Sequence, residues 1–164
     1  MKKTIATARV AADSGSPMIW LRLAHDADGS FRWHDCRGAE TEVGGSSISE
    51  AIQLFFEAWK GGNLPIELPE NARSVASVGV PLTRERLLAL PDDVRLLSNR
   101  CAYPPNPDLE GKIAHGTSRE ALWRAIVDGG LEGRTFEVVP DDRSLQYVKE
   151  EFRRAFNQCR PAKA

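Results

Sequence analysis

Residues 18–35, MIWLRLAHDADGSFRWHD, decide how the first half of this chain folds. From Met18 to Leu23 the side chains alternate: Met18, Trp20 and Arg22 share one face, and Ile19, Leu21 and Leu23 share the other. A period of two is the pattern of a strand with one buried face. Asp28-Gly29 interrupts it. Both residue types tolerate positive φ, so the pair predicts a tight hairpin turn. Phe31, Trp33 and Asp35 against Arg32 and His34 give the return strand. Trp20 and Trp33 stand almost symmetrically about the turn, which predicts a cross-strand pair.

The reading extends outward from this hairpin. Residues 4–12, rich in Thr, Ala and Val, predict a first strand, separated from the hairpin by the turn cluster Asp13-Ser14-Gly15-Ser16-Pro17. Residues 39–43 predict a third strand after the hairpin. Ser47-x-x-Glu50 then forms a capping box, in which the serine oxygen accepts a backbone N–H and the glutamate reaches back to the N–H of the cap. Ile48, Ile52, Phe55 and Trp59 follow at helical spacing, and Gly61-Gly62 ends the helix.

Further along, a strand is expected at 74–80 and a helix over 84–90 capped by Thr83. Two readings of Pro91 stand: it ends that helix, or it opens a second one running through Leu97. The stiff loop Tyr103-Pro104-Pro105-Asn106-Pro107 marks a subdomain boundary, if the chain has one. The last third reads strand, helix, strand, helix. Residues 112–115 form a strand, and Thr117-x-x-Glu120 caps a helix that stops at Gly129-Gly130. Thr135 to Val139 form the next strand, and residues 143–159 a helix with Leu145, Val148, Phe152, Phe156 and Cys159 on one face. The expected architecture is one α+β domain over residues 1–164: an N-terminal antiparallel hairpin sheet and helix, then a mixed strand-helix-strand-helix part.

Composition bounds the function. A chain of 164 residues is long enough to bury roughly 70% of its unfolded surface. Its net charge of −1 gives no general affinity for nucleic acid or membrane. No run reaches the roughly 18 apolar residues that span a bilayer. Arg9 and Asp13 break the apolar stretch that a signal peptide needs. Cys36, Cys101 and Cys159 are odd in number and widely spaced, which fits reduced thiols and a cytoplasmic location.

Several motifs have a plain structural reading. Asp26-x-Asp28-Gly29 starts like a calcium loop, but the twelfth position, where that loop needs glutamate, is Arg37. His34-x-Cys36 is half a zinc site without a local third ligand, so no metal is expected. Asp92-Asp93 and Asp141-Asp142 each follow a proline near an element boundary, where acidic side chains suit a helix N-terminus. Residues 143–164 carry a net charge of +4, with Lys149, Arg153 and Arg160 on one face. That face suits a solvated helix or, alternatively, phosphate contacts with a nucleic acid. Trp20 and Trp33 fit the core or, where exposed, anchors for a protein partner.

Two resemblances add to this. His115-Gly116-Thr117-Ser118, followed after one helix by Gly130-Leu131, resembles the first nicotinamide-binding element of ADP-ribosyltransferases. It implies NAD held by His115, Gly116 and Thr117, although Tyr147 and Glu150 fall on an expected helix and not on the later strands that family uses. Residues 18–60 resemble the N-terminal half of HicB-type antitoxins in Asp26-Ala27-Asp28-Gly29, the strand from Ser30, Thr41-Glu42-Val43 and Ile48-Ser49-Glu50-Ala51. That family uses a partial RNase-H-like sheet as a binding platform that occludes a small RNA-cleaving toxin, often with a DNA-binding segment behind it. This chain departs from it at His34-Asp35-Cys36-Arg37-Gly38 and matches nothing after about residue 69. No nucleophile, base and anion hole stand at plausible mutual positions. The expectation is a non-catalytic, cofactor-free protein-binding module of bacterial or phage type, an antitoxin, inhibitor or immunity-like protein. An NAD-dependent transferase and a nucleic-acid binder are the alternatives.

Overall fold

The computed structural model describes residues 3–12, 19–35, 40–64, 74–97 and 118–159, the side chains of Ala12, Ile19 and residues 152–159 excepted. Cys36, Cys101, the 103–107 loop, the 112–115 strand and His115-Gly116-Thr117 lie outside the described residues.

The expected hairpin joins β2 (Ile19–His25) to β3 (Phe31–His34), with Arg22 opposite His34 and Leu23 opposite Trp33. Gly29 takes φ 89°, the left-handed region that glycine enters without steric cost. The Asp28 carboxylate accepts from the Ser30 N–H at 3.0 Å and the Ser30 hydroxyl at 2.6 Å. Those bonds hold its carboxyl group below the ordinary value.

β1 (Thr4–Ala12) pairs with β2 on one side and with β5 (Ser74–Pro81) on the other. β4 (Glu40–Gly45) pairs with β3, and β6 (Arg95–Leu97) and β7 (Thr135–Val139) complete one sheet in the order β4-β3-β2-β1-β5-β7-β6. All six pairings are antiparallel. With the helices α1 (Ile48–Lys60), α2 (Arg84–Ala89), α3 (Arg119–Asp128) and α4 (Asp142–Cys159), the architecture is α+β. β7 inserts between β5 and β6, so the sheet draws on chain from both sides of residues 98–117.

The main core lies on one sheet face. Ala8, Val10, Leu21, Leu23, Trp33, Val78, Val80, Phe136 and Val138 meet Ile52 and Phe55 of α1, Leu87 of α2 and Ile126 of α3. Strand alternation supplies these residues, and the helical stripe predicted from Ile48 to Trp59 supplies the other side. Helix α4 packs on the opposite face, where Val148 and Leu145 meet Leu97 and Val139.

Several local expectations change in detail. Ser47 Oγ accepts from the Glu50 N–H at 3.1 Å, as the capping box requires. The Glu50 carboxylate, however, accepts from the N–H and hydroxyl of Ser46, at 2.6 and 2.5 Å, instead of returning to Ser47. Ser118, not Thr117, caps α3, with its Oγ accepting from the Ala121 N–H. Pro91 ends the preceding helical segment, and residues 95–97 form β6, because Leu96 and Leu97 gain a sheet partner in β7. Asp141 accepts from the Ser144 N–H at 2.7 Å at the start of α4, the role expected for an acidic residue there.

Candidate functional site

Strand register decides which charged side chains meet on the face away from the main core. One line of facing residues crosses all seven strands: Glu40, His34, Arg22, Thr7, Gly79, Glu137 and Leu97. Helix α4 covers the Leu97 end. Among the described residues, the β1–β2–β3 end of this face carries no helix, and two polar clusters stand on it.

The first cluster is centred on Arg9, the only charged residue of β1. Its guanidinium lies 3.0 Å from Glu137 Oε1 and 3.3 Å from Glu151 Oε2. It also sits under the Trp20 ring, 5.6 Å from the centroid, within range of a cation–π attraction. Gly79 makes room for this arrangement: a Cβ there would stand 3.1 Å from Glu137 Oε1. Burial pushes the Glu137 carboxyl group up from its ordinary value, while Arg9 and the Ser77 hydroxyl pull it back. Among the described residues, Glu137 Oε2 is buried without a hydrogen-bond partner. Beside the cluster a cleft of about 330 Å³ opens over Thr7 and Gly79, walled by Arg9, Trp20, Glu137 and Thr135. Arg22 is exposed on the neighbouring register position, and no ion pair holds it among the described residues.

The second cluster lies toward β4. Asp26 Oδ1 is 3.5 Å from His34 Nε2, while Arg32 approaches Asp26 Oδ2 at 3.7 Å and Glu40 Oε2 at 3.5 Å. An irregularity in the β3–β4 pairing sets Glu40 opposite His34. Thr41 stabilises it, its hydroxyl donating to the Trp33 carbonyl at 2.8 Å.

The residues singled out from sequence are placed as follows. Trp20 is 46% exposed, the most exposed of the large hydrophobic side chains among the described residues. Trp33 is fully buried, its indole N–H donating to the Ala51 carbonyl at 3.0 Å, so it presents nothing to a partner. The two tryptophans do not pair: Trp20 faces Arg9 on one side of the sheet, and Trp33 faces Leu23 on the other. The turn is centred so that the symmetric positions alternate in face. Lys149 is half-buried on α4. The side chain of Arg153, and all of Arg160, lie outside the described residues, as do His115, Gly116 and Thr117. Among the described residues, no helix is long and apolar enough to cross a membrane.

Sequence reasoning missed Arg9, Arg22, Glu137 and Glu151. A signal for two of them was present: Arg9 in TIATARVAA and Glu137 in TFEVV are lone charges inside strand-forming apolar runs. A charge in such a run is uncommon unless it is paired. The chain matches no protein-family model, no curated protein and no solved structure.

Proposed function

We propose that this chain is a cytoplasmic, non-catalytic protein-binding module of bacterial or phage type, an antitoxin, inhibitor or immunity-like protein, which binds its partner with the part of the sheet face around Trp20 that no helix covers among the described residues. The observation that carries this reading is Trp20, an exposed indole held on an arginine that two carboxylates clamp in place. Tryptophan and arginine are the residue types that most often dominate interface energetics. An anchor already ordered in the free protein loses little entropy on binding. Glu137 and Glu151 are both engaged by Arg9, whereas Arg22, two residues from Trp20 on β2, is exposed and has no ion pair among the described residues. The face therefore suits a partner segment that brings a carboxylate to Arg22 and apolar surface to Trp20. The element order from β2 to α1 supports the HicB-type reading, in which such a sheet acts as a platform.

The test is affinity capture from nuclease-treated lysate of the host, run in parallel with the wild-type protein and the Trp20→Ala/Arg22→Glu variant. Circular dichroism confirms that the variant is folded. The reading predicts one stoichiometric protein that stays with the wild type and is lost from the variant. Equal retention by both would place the partner elsewhere on the molecule, and no retained protein would contradict the reading.

A further inference from the structure

The second cluster has a geometry that the ion pairs around it do not explain. His34 is nearly enclosed, with a side-chain exposure of 12%, and its Nε2 is buried without a hydrogen bond among the described residues. The nearest acidic atom, Asp26 Oδ1, stands 3.5 Å away, too far for a good N–H···O bond. The Nε2 and Oδ1 atoms leave a gap of 3.5 Å between them.

That gap has the span of a metal site. Donors bound to zinc at about 2.0–2.1 Å in a tetrahedron stand roughly 3.3–3.5 Å apart. The separation of His34 Nε2 and Asp26 Oδ1 falls in that range. A third donor is present: ligand atoms of Asp26, His34 and Glu40 all lie within 4.8 Å of one another. His34 and Glu40 face each other on the paired strands β3 and β4, and Asp26 follows β2 at the start of the hairpin turn, where its N–H donates to the Ser30 carbonyl at 2.8 Å. Arg32 pairs with Asp26 Oδ2 and Glu40 Oε2, while the Asp26 oxygen nearest the histidine is Oδ1. Glu40 is 51% exposed, which gives an ion a way in and leaves a fourth position for water.

We propose that Asp26, His34 and Glu40 form a site for a divalent transition-metal cation of the zinc class. One imidazole and two carboxylates are a donor set that such ions accept, and three protein ligands with one open position is a known form of zinc coordination. Arg32 lowers the affinity through its like charge while keeping the carboxylates in place. Bound metal would fasten β4, an edge strand, to the hairpin beneath it. The site lies on the same sheet face as Trp20, with His34 opposite Arg22, but metal binding is read on the free chain without any partner, so either proposal can fail without the other.

The test uses the full chain, stripped with chelator and reduced, titrated with Co²⁺ in visible absorption and with Zn²⁺ in calorimetry. One equivalent is expected to bind, with d–d bands in the low-coordinate range. His34→Gln and Glu40→Gln each weaken binding by roughly tenfold or more. Arg32→Ala tightens it by removing the like charge. Cys36→Ser leaves it unchanged, which excludes a thiolate site next to His34. The hairpin variants are checked for native circular dichroism, and Glu40→Gln, at an exposed edge position, gives the reading if His34→Gln does not fold. Three results overturn the proposal: no binding by the wild type, undiminished binding in His34→Gln and Glu40→Gln, or loss of binding in Cys36→Ser.

Discussion

Replacing Arg9 by methionine removes the one positive charge that pairs with Glu137 and Glu151 among the described residues and keeps most of the side-chain volume. At the 3.0 Å separation from Glu137, an effective dielectric near 20 gives an attraction of roughly 5 kcal/mol before desolvation. The net value of such a pair is smaller, but breaking it on one side leaves a buried carboxylate uncompensated, a loss of about 3–5 kcal/mol. The loss depends on pH, and its sign follows from Glu137. Burial raises the folded-state pKa of this carboxyl group above the ordinary value. Between those two values the folded protein holds more protons than the unfolded chain, so stability falls as pH rises through the window. Arg9 is the strongest influence opposing that rise. Without it the window extends upward, and the variant loses more stability at about pH 8 than at about pH 5. Urea denaturation at both values measures this. The double variant Arg9→Met/Glu137→Gln, which lacks the titrating group, should lose the added pH dependence. A loss below about 1 kcal/mol, or one equal at both pH values, would refute the claim that Arg9 neutralises a buried carboxylate.

Three further outcomes follow from the same geometry. Gly79→Ala places a methyl group 3.1 Å from Glu137 Oε1 and should cost about 1–2 kcal/mol in denaturant unfolding. That cost should shrink in a Glu137→Ala background. Trp33→Phe removes the buried indole bond to the Ala51 carbonyl and should cost about 1–3 kcal/mol, with no effect on partner binding. Ser46→Ala removes the bond from the Ser46 hydroxyl to Glu50 that contributes most to holding this carboxyl group below its ordinary value. Its carboxyl carbon should then titrate at higher pH by NMR, closer to an unperturbed glutamate.

The strands and helices were legible wherever one physical signal fixed them. Alternation from Ile19 to Leu23, the Asp28-Gly29 turn and the Ser47 cap each correspond to an element in the fold. The segment after Pro91 was not legible, because three residues become a strand through β7, which lies about forty positions further along. The site was less legible still. Trp20 and Trp33 looked alike in sequence, and only register separates an exposed indole from a buried one. Arg9 meets Glu137 because β1 and β7 flank β5, a fact of strand order that no local pattern carries. His34 meets Glu40 through an irregular pairing of β3 with β4, and Asp26 joins them from the hairpin turn.

The central claim, that the sheet face bearing Trp20 is the binding surface, is tested most directly by quenching tryptophan fluorescence with iodide in the free protein and in its purified complex, with Trp20→Phe identifying the Trp20 contribution. Trp20 should be quenched in the free protein and protected in the complex. Quenching of Trp20 that is unchanged on complex formation would contradict the account.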